Sequence, residues 1–218
     1  MKMLDVPQSG SIGGVTSARN RFGQYKRTRS SPVNRKTTYQ GVVRARLSAN
    51  SAAWRSLTSA QRAGWDGLAG GQSRTDFLGQ TYTQQGNQMY VSVNNNRVAV
   101  GLSPVPDAPA LSTPVAILTA TVTLTAAAFS IAYTATPLGA ATYLMVFASP
   151  QRSAGRSFEG DLRLIKCGAA AGASPLVILT EYTARFGVPV VGNRIFLALV
   201  TQTLGFESGP FTMSQVVT

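Results

Sequence analysis

The sequence predicts an α+β chain of several domains, in which an extended basic N-terminal arm and a small helical region precede a C-terminal, all-β, seven-stranded sandwich. Lys and Arg are concentrated near the N-terminus, apolar residues then recur at helical spacing, and the last part contains short alternating patterns separated by turn residues. We place the arm at 1–37, the helical region at 38–101, a Pro-rich linker at 102–113 and the sandwich at 114–218.

The charge of the chain is unevenly distributed. Its 218 residues are 44% apolar, which suffices for a hydrophobic core, and its net charge is +12. Residues 1–46 carry ten Lys or Arg and a single acid, Asp5, whereas residues 111–218 carry six Lys or Arg and four acids. The basic excess near the N-terminus predicts a negatively charged partner, which can be a nucleic acid, an anionic membrane or an acidic protein surface.

The arm is basic and has few large apolar side chains. The stretch "RNRFGQYKRTRSSPVNRKTTYQGVVRAR", residues 19–46, contains nine Lys or Arg and no acid. Because such a segment cannot offset its ordering entropy by burial, we expect it to be extended or mobile until a partner orders it. Arg and aromatic side chains suit stacking on bases and multidentate contacts with protein, whereas a solubilising tail is usually rich in Lys and lacks aromatics. The candidate partner-binding residues are Arg19, Arg21, Phe22, Tyr25, Lys26, Arg27, Arg29, Arg35, Lys36, Arg44 and Arg46.

Residues 38–101 are predicted to be helical. Apolar side chains recur near helical spacing in "TTYQGVVRARLSANSAAWRSL". The "TSAQ" at 58–61 is a capping-box pattern that opens a second, short helix, and a third helix is predicted through "TQQGNQMYVSVNNNRVAVG", which ends at Gly101. The packing residues predicted for this region are Trp54, Trp65 and Tyr90.

Short strands dominate the prediction for the rest of the chain. The segment "LSPVPDAPALSTP" contains four prolines and is predicted to be an extended, semi-rigid linker. The seven predicted strands lie at 115–125, 128–134, 142–148, 162–166, 176–183, 194–203 and 211–217. This number of strands indicates an immunoglobulin-like or fibronectin type III-like sandwich, and a single cysteine excludes the disulfide-bridged antibody type. The C-terminal "NRIFLALVTQTLGFESGPFTMSQVVT" resembles the last two strands of fibronectin type III domains.

The sequence offers few groups for catalysis or metal binding. It has no histidine and only Cys167, so a metal site built from His or several Cys is excluded, and we predict a buried, inert thiol. Glu159 and Asp161 are predicted to be a solvated pair in a loop, and no glycine loop has the context of a nucleotide site. We therefore predict no enzymatic activity, no cofactor and no small-molecule substrate.

One charge-free stretch, 108–151, is long enough to cross a bilayer. However, Thr and apolar residues alternate at 118–125, which predicts a strand with one solvated face. The first residues, "MKMLDVPQSG", also lack the unbroken apolar run of an export signal. We therefore expect no membrane partner and no export.

Five motifs stand out in the first hundred residues: "R-N-R-x-G-x-Y-x-R-x-R", "P-V-N", "T-x-x-Q-x-x-x-R", "W-R-S-L-T-x-x-Q-R-x-x-W" and "G-x-x-x-Y-V-x-x-N". Together they resemble proteins encoded among the virion genes of tailed bacteriophages. The matching positions include Arg19, Arg21, Gly23, Tyr25, Arg27, Arg29, Pro32, Asn34, Gln40, Arg44, Trp54, Leu57, Gln61, Arg62, Trp65, Tyr90 and Asn94.

The resemblance implies a non-enzymatic structural protein of the virion, a capsid decoration or minor head protein that is assembled in the host cytoplasm. Its arm and helices would anchor it to neighbouring major capsid or connector subunits, in many copies or as a homo-oligomer, while the sandwich projects. Two alternatives remain open at this point. The Arg-rich arm can bind nucleic acid through its phosphates, or the sandwich loops can form a host-surface adhesion module.

Overall fold

The residues that the structure describes form a mixed α+β fold with about 27% helix and 34% strand. The coarse fold class predicted from the sequence is thereby confirmed. The computed structural model describes residues 9–20, 23–31, 37–75, 79–134 and 136–218. The chain divides into two compact units, Met1–Val42 and Val43–Thr218.

The described part of the N-terminal unit contains a three-stranded antiparallel sheet. Its strands are β1 (Gly10–Ile12), β2 (Val15–Asn20) and β3 (Gly23–Thr28), in the order β1-β2-β3. The sequence predicted an extended or mobile arm at 1–37, and this is corrected for the described residues of the three strands, because the segment folds back on itself twice. The backbone groups pair with one another, yet none of the described side chains in the three strands is buried.

Three helices follow: α1 (Thr38–Ser56), α2 (Ser59–Gly70) and α3 (Gly86–Ala99). The predicted capping box is confirmed at the start of α2, since Gln61 N donates to Thr58 Oγ1 at 3.2 Å and Thr58 N donates to Gln61 Oε1 at 3.0 Å. The third predicted helix is confirmed as α3, and Gly101 follows it with a φ of +85°. A short hairpin of β4 (Ser73–Thr75) and β5 (Thr81–Thr83) lies between α2 and α3.

The C-terminal part contains two further antiparallel sheets. Its elements are β6 (Thr119–Leu124), β7 (Phe129–Thr134), β8 (Thr142–Ala148), β9 (Arg152–Ser153), β10 (Arg163–Cys167), β11 (Leu176–Val177), α4 (Leu179–Phe186), β12 (Asn193–Thr203), β13 (Phe206–Glu207) and β14 (Phe211–Val216). One sheet has the order β11-β7-β6. In the other, β12 pairs with β8, β9, β13 and β14, and β8 pairs with β10.

Both C-terminal sheets contribute to one hydrophobic core. Phe129 and Ile131 of β7 are buried in it together with Ile195, Leu197 and Leu199 of β12. Burying a side chain of this size stabilises the fold by about 1.5–3 kcal/mol. A separate core lies among the helices, where the buried apolar residues are Trp65, Ala69, Met89, Tyr90 and Val93.

The predicted strand at 176–183 is wrong beyond Val177, because the chain turns there into helix α4. Ile178, Tyr182 and Phe186 recur every four residues and pack toward the core of the two sheets. Gly187, with a φ of +88°, ends the helix. The two-residue strands β9 and β13 were not predicted, since pairs of this length have no recognisable period.

The charge-free stretch at 108–151 contains β6, β7 and β8, so the prediction of a strand at the alternating Thr residues is confirmed. Among the helices in the described ranges, none combines the length and apolar character that crossing a membrane requires.

Candidate partner-binding surface

The strand register places basic side chains on both faces of the N-terminal sheet. Ser17 of β2 lies opposite Lys26 of β3, and Thr16 lies opposite Arg27. Because opposite residues share a face and successive residues alternate, Arg19 and Lys26 lie on one face, and Arg27 lies on the other. The sheet therefore presents positive charge in two directions.

The remaining predicted arm residues are distributed between this sheet, the first helix and the undescribed positions. Tyr25 shares its face of the sheet with Arg27 and is exposed. Arg29 N donates to Gly14 O at 2.8 Å, so Arg29 lies where β3 ends beside the β1–β2 turn. The structure places Arg44 and Arg46 on helix α1. Four predicted residues lie outside the described ranges: Arg21, Phe22, Arg35 and Lys36.

Helix α1 exposes a row of apolar side chains in its first half. Tyr39, Val42, Val43 and Leu47 recur at helical spacing, and each is between 43% and 49% exposed. The spacing in the sequence predicted a helical face that includes Val43 and Leu47. It could not indicate that the face is exposed, because the period of a pattern is the same whether or not another element covers it.

The second half of the same helix contacts α3. Asn50 is buried and its Nδ2 donates to Asn95 Oδ1 at 2.7 Å, and the Trp54 ring centroid lies 5.5 Å from that of Tyr90. Asn50 and Trp54 continue the helical face that begins at Val43. One face of α1 is therefore packed at its C-terminal end and exposed at its N-terminal end.

The three predicted packing residues are brought together. Tyr90 lies between Trp54 and Trp65, and its ring centroid is 5.2 Å from that of Trp65 in an edge-on arrangement. Trp65 is fully buried, and burial raises the pKa of Tyr90. The cluster fixes the mutual positions of α1, α2 and α3.

Polar groups of the helices hold the Pro-rich segment 102–113. The fully buried side chain of Asn94 accepts from Val105 N at 2.8 Å and donates through Nδ2 to Val105 O at 3.1 Å. Trp65 Nε1 donates to Pro106 O at 2.8 Å. The segment has no regular secondary structure, so these side chains replace the backbone pairing that it lacks.

The acidic pair of the loop after β9 forms ion pairs with arginines. Glu159 was predicted to be solvated, but it is buried and accepts from Arg152 Nε and from Asp161 N. The hydrogen bond from Asp161 N, together with Arg152 and Arg156, holds the pKa of Glu159 below its usual value. The Arg163 guanidinium lowers the pKa of Asp161 in the same way. Both carboxylates therefore stabilise the loop as ionised groups.

Cys167 is half-buried, and its Sγ donates to Ala99 O at 3.3 Å. Burial raises the pKa of the Cys167 thiol, so it stays protonated near neutral pH. Within the part of the chain that the structure describes, no three His, Cys, Asp or Glu side chains are grouped so that they could hold a metal ion.

Comparison of the chain with protein-family models, with curated proteins and with solved structures gave no match.

Proposed function

We propose that the chain is a non-enzymatic structural protein of a tailed-bacteriophage virion, a capsid decoration or minor head protein anchored to neighbouring subunits by its basic N-terminal part. The observation that supports this proposal most is the charge of residues 6–65, which include eleven Lys or Arg and no acid. This cationic part contains a sheet whose described strands bury no side chain and a helix with an exposed apolar face.

Physical chemistry favours a binding role for such a region. A small sheet without a hydrophobic face is marginally stable in water, so contacts with a partner would add to its stability. Acidic residues on the partner would pair with Arg19, Lys26 and Arg27 on the two faces. On a symmetric particle the same weak contact is repeated many times, and repetition multiplies modest affinities.

We further propose that residues 119–216 form a fibronectin type III-like sandwich that projects from the particle. Two antiparallel sheets that share one core support it, as does the adjacency of β12 and β14, the last two long strands. Helix α4 between β11 and β12 is an addition to a purely β architecture. A domain of this kind needs no catalytic group to serve as a projecting module.

A co-sedimentation experiment tests the anchoring role. The full chain is mixed with emptied shells from particles made by the genome that encodes it, and the bound fraction is measured. We expect Arg19→Gln/Arg27→Gln to weaken binding at least about tenfold, the effect of losing about 1.4 kcal/mol. The control Arg74→Gln/Arg163→Gln removes the same charge outside residues 6–65 and is expected to bind nearly as well as the unmodified chain. Equal losses in both variants, or no binding of the unmodified chain, would contradict the proposal.

Nucleic-acid binding is a second candidate function, and the distribution of cations on both sheet faces favours it. If Arg19, Lys26, Arg27 and Arg29 each neutralised a duplex phosphate, the slope of log affinity against log salt would be about −3.6. Fluorescence anisotropy with a short duplex between about 50 and 200 mM salt measures this slope. Binding that is negligible at the higher salt, combined with binding to emptied shells, would exclude this candidate.

A further inference from the structure

A groove between α1 and α3 lies at the end of the packed face of α1. It is shallow and open to solvent, with a volume of about 320 Å³, and is lined by Leu47, Asn87, Gln88, Val91 and Ser92. Apolar side chains from both helices contribute to it, and polar side chains of α3 border it. A groove of this composition suits an apolar side chain that enters from outside.

Leu47 is 49% exposed beside this groove, and Val43, one helical turn earlier, is 45% exposed. Both lie on the face of α1 that packs on α3 through Asn50 and Trp54. The exposed residues therefore extend an existing helix-to-helix contact. Isolated apolar side chains are common on protein surfaces. A row that continues a packed interface instead indicates a surface on which a further helix or strand packs.

The positive charge of α1 and α3 indicates which kind of partner segment the groove would bind. α1 carries Arg44, Arg46 and Arg55, α3 carries Arg97, and neither helix contains Asp or Glu. A second copy of the same face would bring like charges together, which opposes association. An occupant with carboxylates on either side of its apolar residues would instead be attracted.

We propose that the groove formed by Leu47 and Val91, extended by Val43, docks an acidic amphipathic helix of a partner protein. The occupant would place an apolar side chain between α1 and α3 and its Asp or Glu residues near the arginines of α1. This inference rests on the proposed function, in which that partner is a neighbouring virion subunit. The inference specifies that the bound segment of that subunit is an acidic amphipathic helix.

The test uses the full chain and two designed, fluorescent helical peptides. Both carry Leu at i, i+3, i+4 and i+7, and they differ only in having Glu or Lys at the flanking positions. Fluorescence anisotropy is expected to show at least about tenfold tighter binding of the Glu peptide. Leu47→Asp is expected to weaken binding of the Glu peptide at least about tenfold. Leu47→Met is expected to bind the Glu peptide about as tightly as the unmodified chain does.

Leu118→Asp is the matched control, because Leu118 is also exposed, at 70%, and does not line the groove. Circular dichroism is expected to give the same thermal midpoint for the Leu47→Asp and Leu118→Asp chains. Equal peptide binding by the two variants would overturn the proposal, as would equal binding of the Glu and Lys peptides. A dimer of the unmodified chain that Leu47→Asp dissociates would show that a second copy occupies the groove, which also overturns it. Because the assay contains no particle, its result is independent of the co-sedimentation result.

Discussion

Gly205 lies directly against Val93. A Cβ atom added to Gly205 would be 2.5 Å from Val93 Cγ1 and 2.7 Å from Val93 O. Gly205 is in the turn between β12 and β13, and Val93 is buried in α3. Asn96 Nδ2 also donates to Gly205 O at 3.0 Å. The C-terminal sheets and the helical region therefore meet at a point that accommodates only glycine.

The first prediction concerns this contact. Gly205→Ala is expected to lower the free energy of unfolding by about 2–4 kcal/mol, because it adds an overpacked methyl group to a backbone strained at positive φ. Gly192→Ala is the control, since Gly192 has a φ of +87° with no atom within 4 Å of the added Cβ. Gly192→Ala is expected to lower the free energy of unfolding only by the backbone strain, about 1 kcal/mol. Urea unfolding measures both values, and equal losses would show that the contact with Val93 is unimportant.

The second prediction concerns the Pro-rich segment. Asn94→Ala removes two hydrogen bonds to Val105 and leaves its backbone N–H and C=O unpaired. We expect the free energy of unfolding to fall by about 2–4 kcal/mol. Limited proteolysis is expected to cleave within 102–113 faster than in the unmodified chain. Asn87→Ala, an exposed change on the same helix, is expected to alter stability by less than about 0.5 kcal/mol. Unchanged proteolysis of the Asn94 variant would contradict the clamping role of this side chain.

The third prediction concerns alkaline pH. Burial raises the pKa of Tyr182, whose hydroxyl donates to Ser149 O at 3.1 Å. As pH rises, the Tyr182 hydroxyl therefore loses its proton in the unfolded chain, near a pKa of about 10, before it does so in the folded chain. The stability that the protonated Tyr182 contributes is consequently lost as pH rises above that value. Tyr182→Phe is expected to cost about 1 kcal/mol at neutral pH and to flatten the decline above about pH 10.

Unfolding curves at several pH values test the Tyr182 prediction. Tyr82→Phe is its control, because Tyr82 is exposed. Some decline is expected to remain in Tyr182→Phe, since burial also raises the pKa values of Tyr90 and Tyr133. An identical alkaline decline in Tyr182→Phe and the unmodified chain would be evidence against a buried Tyr182 hydroxyl.

The fourth prediction concerns acidic pH. The hydrogen bond from Asp161 N and the Arg152 side chain lower the pKa of Glu159. The folded state therefore binds the proton of the Glu159 carboxyl group less tightly than the unfolded chain does. Stability from the ionised carboxylate is present above the ordinary glutamate pKa of about 4.3 and is lost as pH falls below it. Glu159→Gln is expected to reduce stability at neutral pH and to weaken its dependence on pH below about 5. A pH profile parallel to that of the unmodified chain would contradict the ion pairing.

Features set by neighbouring residues were predictable from the sequence. The capping box at 58–61 requires only four adjacent side chains and backbone groups, and the structure contains it. The predicted strand at 142–148 coincides with β8, because its dense apolar and aromatic residues pack on both faces of a central strand.

Features that depend on distant packing were not predictable. Residues 176–183 combine β-branched residues, which favour a strand, with a helical spacing of apolar residues. The chain forms a helix from Leu179 because this conformation buries Tyr182 in the core. The N-terminal sheet has no buried face, so its strands lack a clear apolar alternation. For the candidate surface, the sequence indicated the cations, but the exposed row on α1 required the positions of α1 and α3.

An electron cryo-microscopy map of particles made by the genome that encodes this chain tests the central proposal most directly. We expect density for the chain at symmetry-related positions, with the sheet at residues 10–28 and the first half of α1 lying against acidic surfaces of neighbouring subunits. A map without the chain, in a preparation shown by mass spectrometry to lack it, would contradict a structural role in the virion.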